Sequence, residues 1–423
     1  MASFFTRRSV LACVVALLGV LGLLACSPSH SAHQRQSSTA RATAREVSPG
    51  PSTEGARTSL KLPAQVTSKA GDPIVIPAEP ILTTPAAGEP RIVLSPDTFL
   101  DYEPSSPPPS TPREDNGPGD TPPEAIFSWN MRTNAVKPLW QTDPGTQDGL
   151  FARDGDWVVA VRVGYVLPFA SWKLIMHNIV TGEERVIAQN DPSLVNPASL
   201  PPGLPVGPPL GLAPAPSVLG GHVAWAEWYR ADDGNIHKRV RLYTMSTGQT
   251  ETLADISNPT KEDIRTVSLG GDKIAWYHST NGSPTGLMVI RQLNGSNERQ
   301  FEIPDEVVNA ELSGNGKYLV WMSGQSEGHE MFALDTTNDT VVKFGEHYGE
   351  RLEVTGQIVG WTTQNRPTAQ PQDARPGYYN LDTGVLRLLD TEAPVTSDML
   401  SGKWLVIDYE TQTVSEGVLM PVT

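Results

Sequence analysis

One short phrase recurs along this chain: a glycine turn followed by a brief apolar strand that ends, in most copies, on tryptophan. It reads GDWVVA from Gly155, GHVAW with Gly220 before it, GDKIAW from Gly271, GKYLVW from Gly316, GQIVGW from Gly356 and GKWLVI from Gly402. The fifth residue after each aligned glycine is Ala160, Trp225, Trp276, Trp321, Trp361 or Ile407. A second landmark follows each of the first five copies, a polar two-residue turn between short β-like runs: Thr181-Gly182, Thr247-Gly248, Asn294-Gly295, Thr337-Asn338 and Thr383-Gly384. Glycine and asparagine suit such tight hairpins because they accept positive φ. One further turn, Thr133-Asn134, lies ahead of the first glycine strand.

A four-stranded unit repeated every 40 to 50 residues or so is the sequence signature of a β-propeller. The expected fold is therefore all-β, a propeller of six blades. The offset between the first turn and the first glycine strand predicts how the ring closes. Strands around 397–409 should pair with the hairpin at 126–139, so that both chain ends share one blade and no sheet edge stays open. A seventh blade is compatible with AGDPIVIP from Gly71 and GVLMPV from Gly417, although Pro73 and Pro77 speak against a central strand there. The tryptophans should fill the wedges between blades, burying about 150–250 Å² each. In such blades the glycine turns and the Thr-Gly turns fall on one face. The longer connections, 228–238, 278–286, 362–377 and the proline-rich 189–217, fall on the other, where binding residues are usually carried. Prolines 201, 202, 205, 208, 209, 214 and 216 favour an extended polyproline conformation in the last of these.

The composite pattern, a glycine turn, an apolar strand ending in Trp and a second hairpin around Thr-Gly, resembles the six-bladed propellers of the TolB-like and prolyl-oligopeptidase-type families. The resemblance covers roughly residues 120–410, and its motifs are structural rather than catalytic. It implies a fold and leaves the activity open.

The N-terminus gives a location. Arg7 and Arg8 precede an uncharged apolar run from Val10 to Ala25, which is the layout of a signal peptide. The run ends in Leu23-Leu24-Ala25-Cys26, which resembles the lipobox of bacterial lipoproteins. That resemblance implies cleavage before Cys26, lipid (palmitate) attachment at Cys26, and a membrane-anchored protein of the cell envelope on the extracytoplasmic side. The expected organisation is a signal peptide over 1–25, a lipidated, mostly disordered Pro/Ser/Thr-rich tether over 26–119, and a propeller over 120–423. The tether has no Phe, Trp or Tyr before Phe99 and so little apolar surface to offset the entropy of ordering it. The chain holds two cysteines; with Cys13 removed and Cys26 acylated, no intramolecular disulfide remains. Loss of Arg7 and Arg8 moves the formal charge from −15 to −17. An acidic domain without Lys/Arg clusters is not expected to take nucleic acid as a partner.

Catalytic motifs are scarce. GQSEG over 324–328 matches G-x-S-x-G with Ser326 in the nucleophile place, but that motif needs a strand, a sharp turn and a helix. Here it joins two strands. His177, His222, His237, His278, His329 and His347 are dispersed, with no metal-ligand spacing, and Asp232–Asn235 lacks the rest of a calcium loop. No catalytic residue, metal site or cofactor is therefore assigned. Counting back from the repeat glycines puts Arg265, Glu311, Glu353 and Asp398 on the innermost strands, where they become candidate ligand-binding residues lining the channel. The expectation is a non-catalytic propeller that binds a protein, peptide or glycan through its long-loop face. The alternative is a propeller enzyme, a lyase or hydrolase acting on a glycan at the channel mouth, since converging carboxylates can do acid–base work.

Overall fold

The computed structural model describes residues 57–75, 92–95, 98–102, 125–130, 132–133, 135–164, 172–191, 194, 213–257, 261–280, 283, 285–324, 329–347, 349–363, 377–390, 395–401, 404–410 and 415–421. Three short strands come first: β1 (Arg57–Ser59), β2 (Lys69–Ala70) and β3 (Ile74–Val75). Blade 1 is β4 (Ile92–Ser95), β5 (Thr98–Tyr102), β6 (Ala125–Asn130) and β7 (Ala135–Gln141); blade 2 is β8 (Thr146–Asp154), β9 (Trp157–Gly164), β10 (Trp172–Asn178) and β11 (Glu184–Gln189). Blade 3 is β12 (Ser217–Leu219), β13 (His222–Arg230), β14 (Ile236–Thr244) and β15 (Gln249–Ile256); blade 4 is β16 (Glu262–Gly270), β17 (Lys273–Thr280), β18 (Gly286–Gln292) and β19 (Arg299–Ile303). Blade 5 is β20 (Val307–Leu312), β21 (Tyr318–Ser323), β22 (His329–Asp335) and β23 (Thr340–His347); blade 6 is β24 (Gly349–Thr355), β25 (Ile358–Thr363), β26 (Gly377–Asn380) and β27 (Val385–Asp390). A three-stranded sheet follows: β28 (Val395–Ser401), β29 (Trp404–Glu410) and β30 (Ser415–Pro421).

Within every blade, neighbours in sequence are neighbours in the sheet. The six four-stranded blades make the expected all-β propeller ring. The glycine turns join strands one and two, and the Thr-Gly type turns join strands three and four, so both sets lie on one face. Gly155, Gly271, Gly316 and Gly356 all take positive φ, as do Gly182, Gly248, Gly295 and Gly384 in the second set. In the Thr337-Asn338 turn the positive φ falls one residue later, on Asp339.

The repeat glycines of blades 4 and 5 show why the phrase is kept. Gly271 donates its N–H to Gly314 O at 3.0 Å. A Cβ on Gly271 would stand 2.6 Å from Asn315 O, and one on Gly316 would run into Gly270 O. The two turns nest against each other at backbone contact. Trp225, Trp276, Trp321 and Trp361 are all buried, each packing against the blade before its own. Trp321, for instance, lies with Tyr277, Met288 and Phe301 of blade 4.

Two expectations are corrected. Ring closure does not use a shared blade. β6 pairs with β5 and β7, and β29 pairs with β28 and β30, so the first blade and the C-terminal sheet share no strand among the described residues. Blade 1 finds its inner pair locally, in IVLSPDTFLDY, where Phe99 and Leu100 are buried and the Phe99 ring lies 5.6 Å from that of Trp129. The sequence between these two strands carries no marker glycine, so the repeat is invisible there. The propeller also begins well before residue 120: the segment assigned to the tether supplies β1 to β5. β1 adds in parallel to the outer edge of β19, and β2 and β3 to that of β27. β3, flanked by Pro73 and Pro77, is an edge strand, as those prolines require.

Candidate binding face

The inner strands hold the blades together through a repeated polar latch. Ser217 Oγ accepts from Leu269 N at 2.9 Å, Ser268 Oγ from Leu312 N at 2.8 Å, and Glu311 Oε2 from Val354 N at 2.9 Å. The three donors are equivalent positions in blades 4, 5 and 6, and each acceptor sits one residue before the matching position in the preceding blade. Glu311 is thus a blade-to-blade latch near the glycine-turn end of its strand. Glu353 occupies the equivalent place on β24 and is half-buried. Asp398 lies on β28 opposite Ile407.

Arg265 stands elsewhere, nearer the long-loop end of β16. Its Nη1 donates to Glu306 Oε1 and its Nε lies 3.3 Å from Asp263 Oδ2. Burial works against the charge of Arg265, and the contacts to Glu306 and Asp263 outweigh it, holding the guanidinium above its ordinary value. Asp263 also receives Lys238 Nζ at 2.6 Å, and that ammonium lies 4.9 Å from the centre of the Trp228 ring. Burial pushes Lys238 down in spite of Asp263. The result is a row of alternating charge, Lys238–Asp263–Arg265–Glu306, which runs from blade 3 across blade 4 to blade 5. Arg265 and Glu306 are more than a third exposed, so this pair is weak, worth about 0–1 kcal/mol, and opens readily to an incoming polar group.

On the other side of the blade 3 sheet lies an aromatic ledge. Tyr229 donates to Asp255 Oδ2, His237 Nδ1 is 2.8 Å from Asp255 Oδ1, and His237 Nε2 is 3.4 Å from Asp233 Oδ2. Arg239 stacks over the Tyr229 ring at 3.9 Å and donates through Nε to Glu227 Oε1 at 2.9 Å. Trp225 Nε1 donates to Glu227 Oε2 at 2.7 Å, so the ledge grows out of the wedge between blades 2 and 3. The connection after β13 is shorter than expected, residues 231–235, because the strands extend to Arg230 and restart at Ile236.

A third polar cluster, between blades 1 and 2, carries no sequence marker at all. Arg162 grips Asp148 through Nε (2.7 Å) and Nη2 (2.9 Å), Trp140 Nε1 donates to Asp148 Oδ2 at 2.9 Å, and His177 stacks on Trp140 at 4.1 Å with Nε2 3.6 Å from Asp148 Oδ2. Burial pushes the Asp148 carboxyl up; His177, Arg162 and Trp140 together outweigh that and bring it down to about 2. The bidentate Arg162 contact is the closest of these and the main hold.

Of the residues expected to line the channel, Glu311 and Glu353 hold equivalent places on neighbouring inner strands, and Arg265 stands apart from them. Arg265 belongs to the rim row and Glu311 to a latch. Asp263, Glu306, Lys238 and Tyr229, which complete the rim, were not singled out from the sequence; the alternating charge of Asp263-Ile264-Arg265 on one strand was the available signal. Cys26 and Ser326 lie outside the described residues. Among the described residues no group of three or more His, Cys, Asp or Glu is arranged to hold a metal ion.

No protein-family model matches the chain, and no curated protein matches its sequence. Solved structures do resemble its fold. A prolyl endopeptidase aligns over 81% of this chain and 48% of its own, with 10% identity and a TM-score of 0.52, so this chain spans about half the length of that enzyme. The propeller domain of the Trilobed protease from Pyrococcus furiosus, which has an open velcro topology, aligns over 82% of this chain and 97% of its own, with 9% identity and a TM-score of 0.50. TolB from Acinetobacter baumannii aligns over 71% and 74%, with 12% identity and a TM-score of 0.40. At these identities the likeness is one of fold: the chain is built as a β-propeller.

Proposed function

We propose that this chain is an extracytoplasmic lipoprotein, anchored to the membrane through Cys26, whose propeller binds a protein, peptide or glycan on its long-loop face without catalysing a reaction. The observation that carries this reading is the rim of blades 3 to 5. There half-buried Trp228 sits under Lys238 in the row that ends at the Arg265–Glu306 pair, and on the other side of the blade 3 sheet half-buried Tyr229 sits under Arg239. Trp, Tyr and Arg held in place by their neighbours are the residues that dominate recognition interfaces. Glu311, a carboxylate the catalytic alternative would need in the channel, is committed to the Val354 amide.

Photo-crosslinking on the full chain tests the binding face. A photoreactive residue at Tyr229 should trap a discrete adduct in native envelopes, whereas one at Val180, in the turn on the opposite face and strongly exposed, should not. Equal labelling from both positions, or none from Tyr229, would refute the assignment. Anchoring is tested separately: Cys26→Ser should move the chain from the membrane pellet to the soluble fraction, and unchanged fractionation counts against the lipid site.

A further inference from the structure

The geometry points to a releasable strap in residues 57–75, whose docking on the outer edges of blades 4, 5 and 6 holds the Arg265–Glu306 rim in place. Three observations place the strap. Its backbone adds to three successive blades: Arg57↔Gln300, Thr58↔Phe301 and Ser59↔Glu302 in parallel on β19, Thr67 N to Lys343 O at 2.9 Å on β23, and Lys69 N and Gly71 N to Gly384 O and Leu386 O, each at 2.8 Å, on β27. Leu60 is buried in the core between blades 4 and 5, beside Phe301, Ile303, Val307 and Tyr277, and its N–H donates to Glu302 O at 3.0 Å. Gly71 lies so close to β27 that a Cβ there would stand 2.6 Å from Val385 Cγ1 and 2.8 Å from Arg387 Cγ.

The strap is built to let go before the blades do. Its strands are three, two and two residues long, and the side chains of β1 and β2 are exposed. Apart from Leu60 and its neighbour Leu62 it buries little, and segments with few apolar contacts open locally well below the global unfolding free energy. Yet its anchor touches the floor of the rim. Val307, in contact with the same core as Leu60, directly follows Glu306, the partner of Arg265. The Tyr277 hydroxyl, from that core too, donates to Asp305 O at 3.5 Å. A docked strap fixes the 303–307 segment from below; a released strap frees it. The chain N-terminal to Arg57 thereby gains a physical line to the long-loop face. This inference needs neither the lipid anchor nor the identity of a ligand.

Hydrogen exchange read by mass spectrometry on the full chain tests it, comparing wild type with Gly71→Val and Leu60→Ala. In the wild type the amides of Leu60, Thr67 and Gly71 should be protected. In both variants strap exchange should rise by about tenfold or more, and exchange in 303–312 should rise with it, while 222–244 in blade 3 stays unchanged. Gly71→Val removes no core atom and acts on blade 6, outside the Leu60 socket between blades 4 and 5, so it decides the matter if Leu60→Ala disturbs folding. Three results overturn the proposal: strap amides already unprotected in wild type, strap release with 303–312 unaltered, or loosening by Gly71→Val that stops at residues 69–75.

Discussion

Asp148 makes the wedge between blades 1 and 2 acid-sensitive. Its carboxyl is fully buried and titrates at about 2 rather than 3.8. A carboxylate whose folded pKa is depressed contributes stability that is fully present above its unfolded pKa and lost as pH falls through the folded one. Lowering the carboxyl from 3.8 to about 2 corresponds to about 2 kcal/mol, at about 1.36 kcal/mol per pKa unit, and the window runs from about pH 4 down to about pH 2. Asp148→Asn keeps the shape but leaves Arg162 facing a neutral amide in a buried site, and removing one partner of such a pair costs about 3–5 kcal/mol. Urea denaturation of the two proteins side by side separates this from every other titrating group, because both share the rest. Wild type should exceed the variant by about 3–5 kcal/mol at pH 6, and the gap should narrow by about 2 kcal/mol on going to pH 2. A gap that stays level from pH 6 to pH 2 would show that Arg162 and Trp140 do not hold the Asp148 charge, and the account of this wedge would be wrong.

Other parts of the fold make their own predictions. Gly316→Ala should destabilise well beyond Gly155→Ala by thermal denaturation, since both take positive φ but only Gly316 has a carbonyl where the methyl must go; Gly155, with open space around it, should lose only about 1 kcal/mol. Trp321→Ala should cost about 3–5 kcal/mol through the cavity it leaves between blades 4 and 5, read as a lowered urea midpoint. Glu311→Gln keeps an acceptor for Val354 N and should stay within about 0.5 kcal/mol of wild type, whereas Glu311→Ala should lose about 1–2 kcal/mol. If the two Glu311 variants behave alike in equilibrium unfolding, the latch is not what this carboxylate contributes.

The parts of the fold legible in the sequence are those set by local chemistry. A glycine needed for positive φ and a tryptophan needed for a wedge recur because each blade poses the same local problem, so Gly271 and Trp276 announce blade 4 unaided. What stayed hidden depends on distant partners. The sequence between β4 and β5 lacks the marker glycine, and the pairing of β5 with β6 crosses a gap of more than twenty residues from Tyr102 to Ala125. β1 and β2 are too short and too polar to read as strands, and the apolar β3 is only two residues long; they become strands because β19 and β27 offer them an edge. The same holds at the candidate site. Arg265 could be placed on an inner strand by counting, but its neighbours Glu306 and Lys238 come from two other blades. Asp148 and Arg162 lie in runs with no distinguishing pattern.

The nesting of Gly271 against Asn315 and of Gly316 against Gly270 leaves no slack between the glycine turns of blades 4 and 5. An added residue in either turn would push two blades apart, whereas the opposite side already accommodates the proline-rich stretch between Gln189 and Ser217. Between these two blades, length can therefore be added on the opposite side without renegotiating how the sheets hold together.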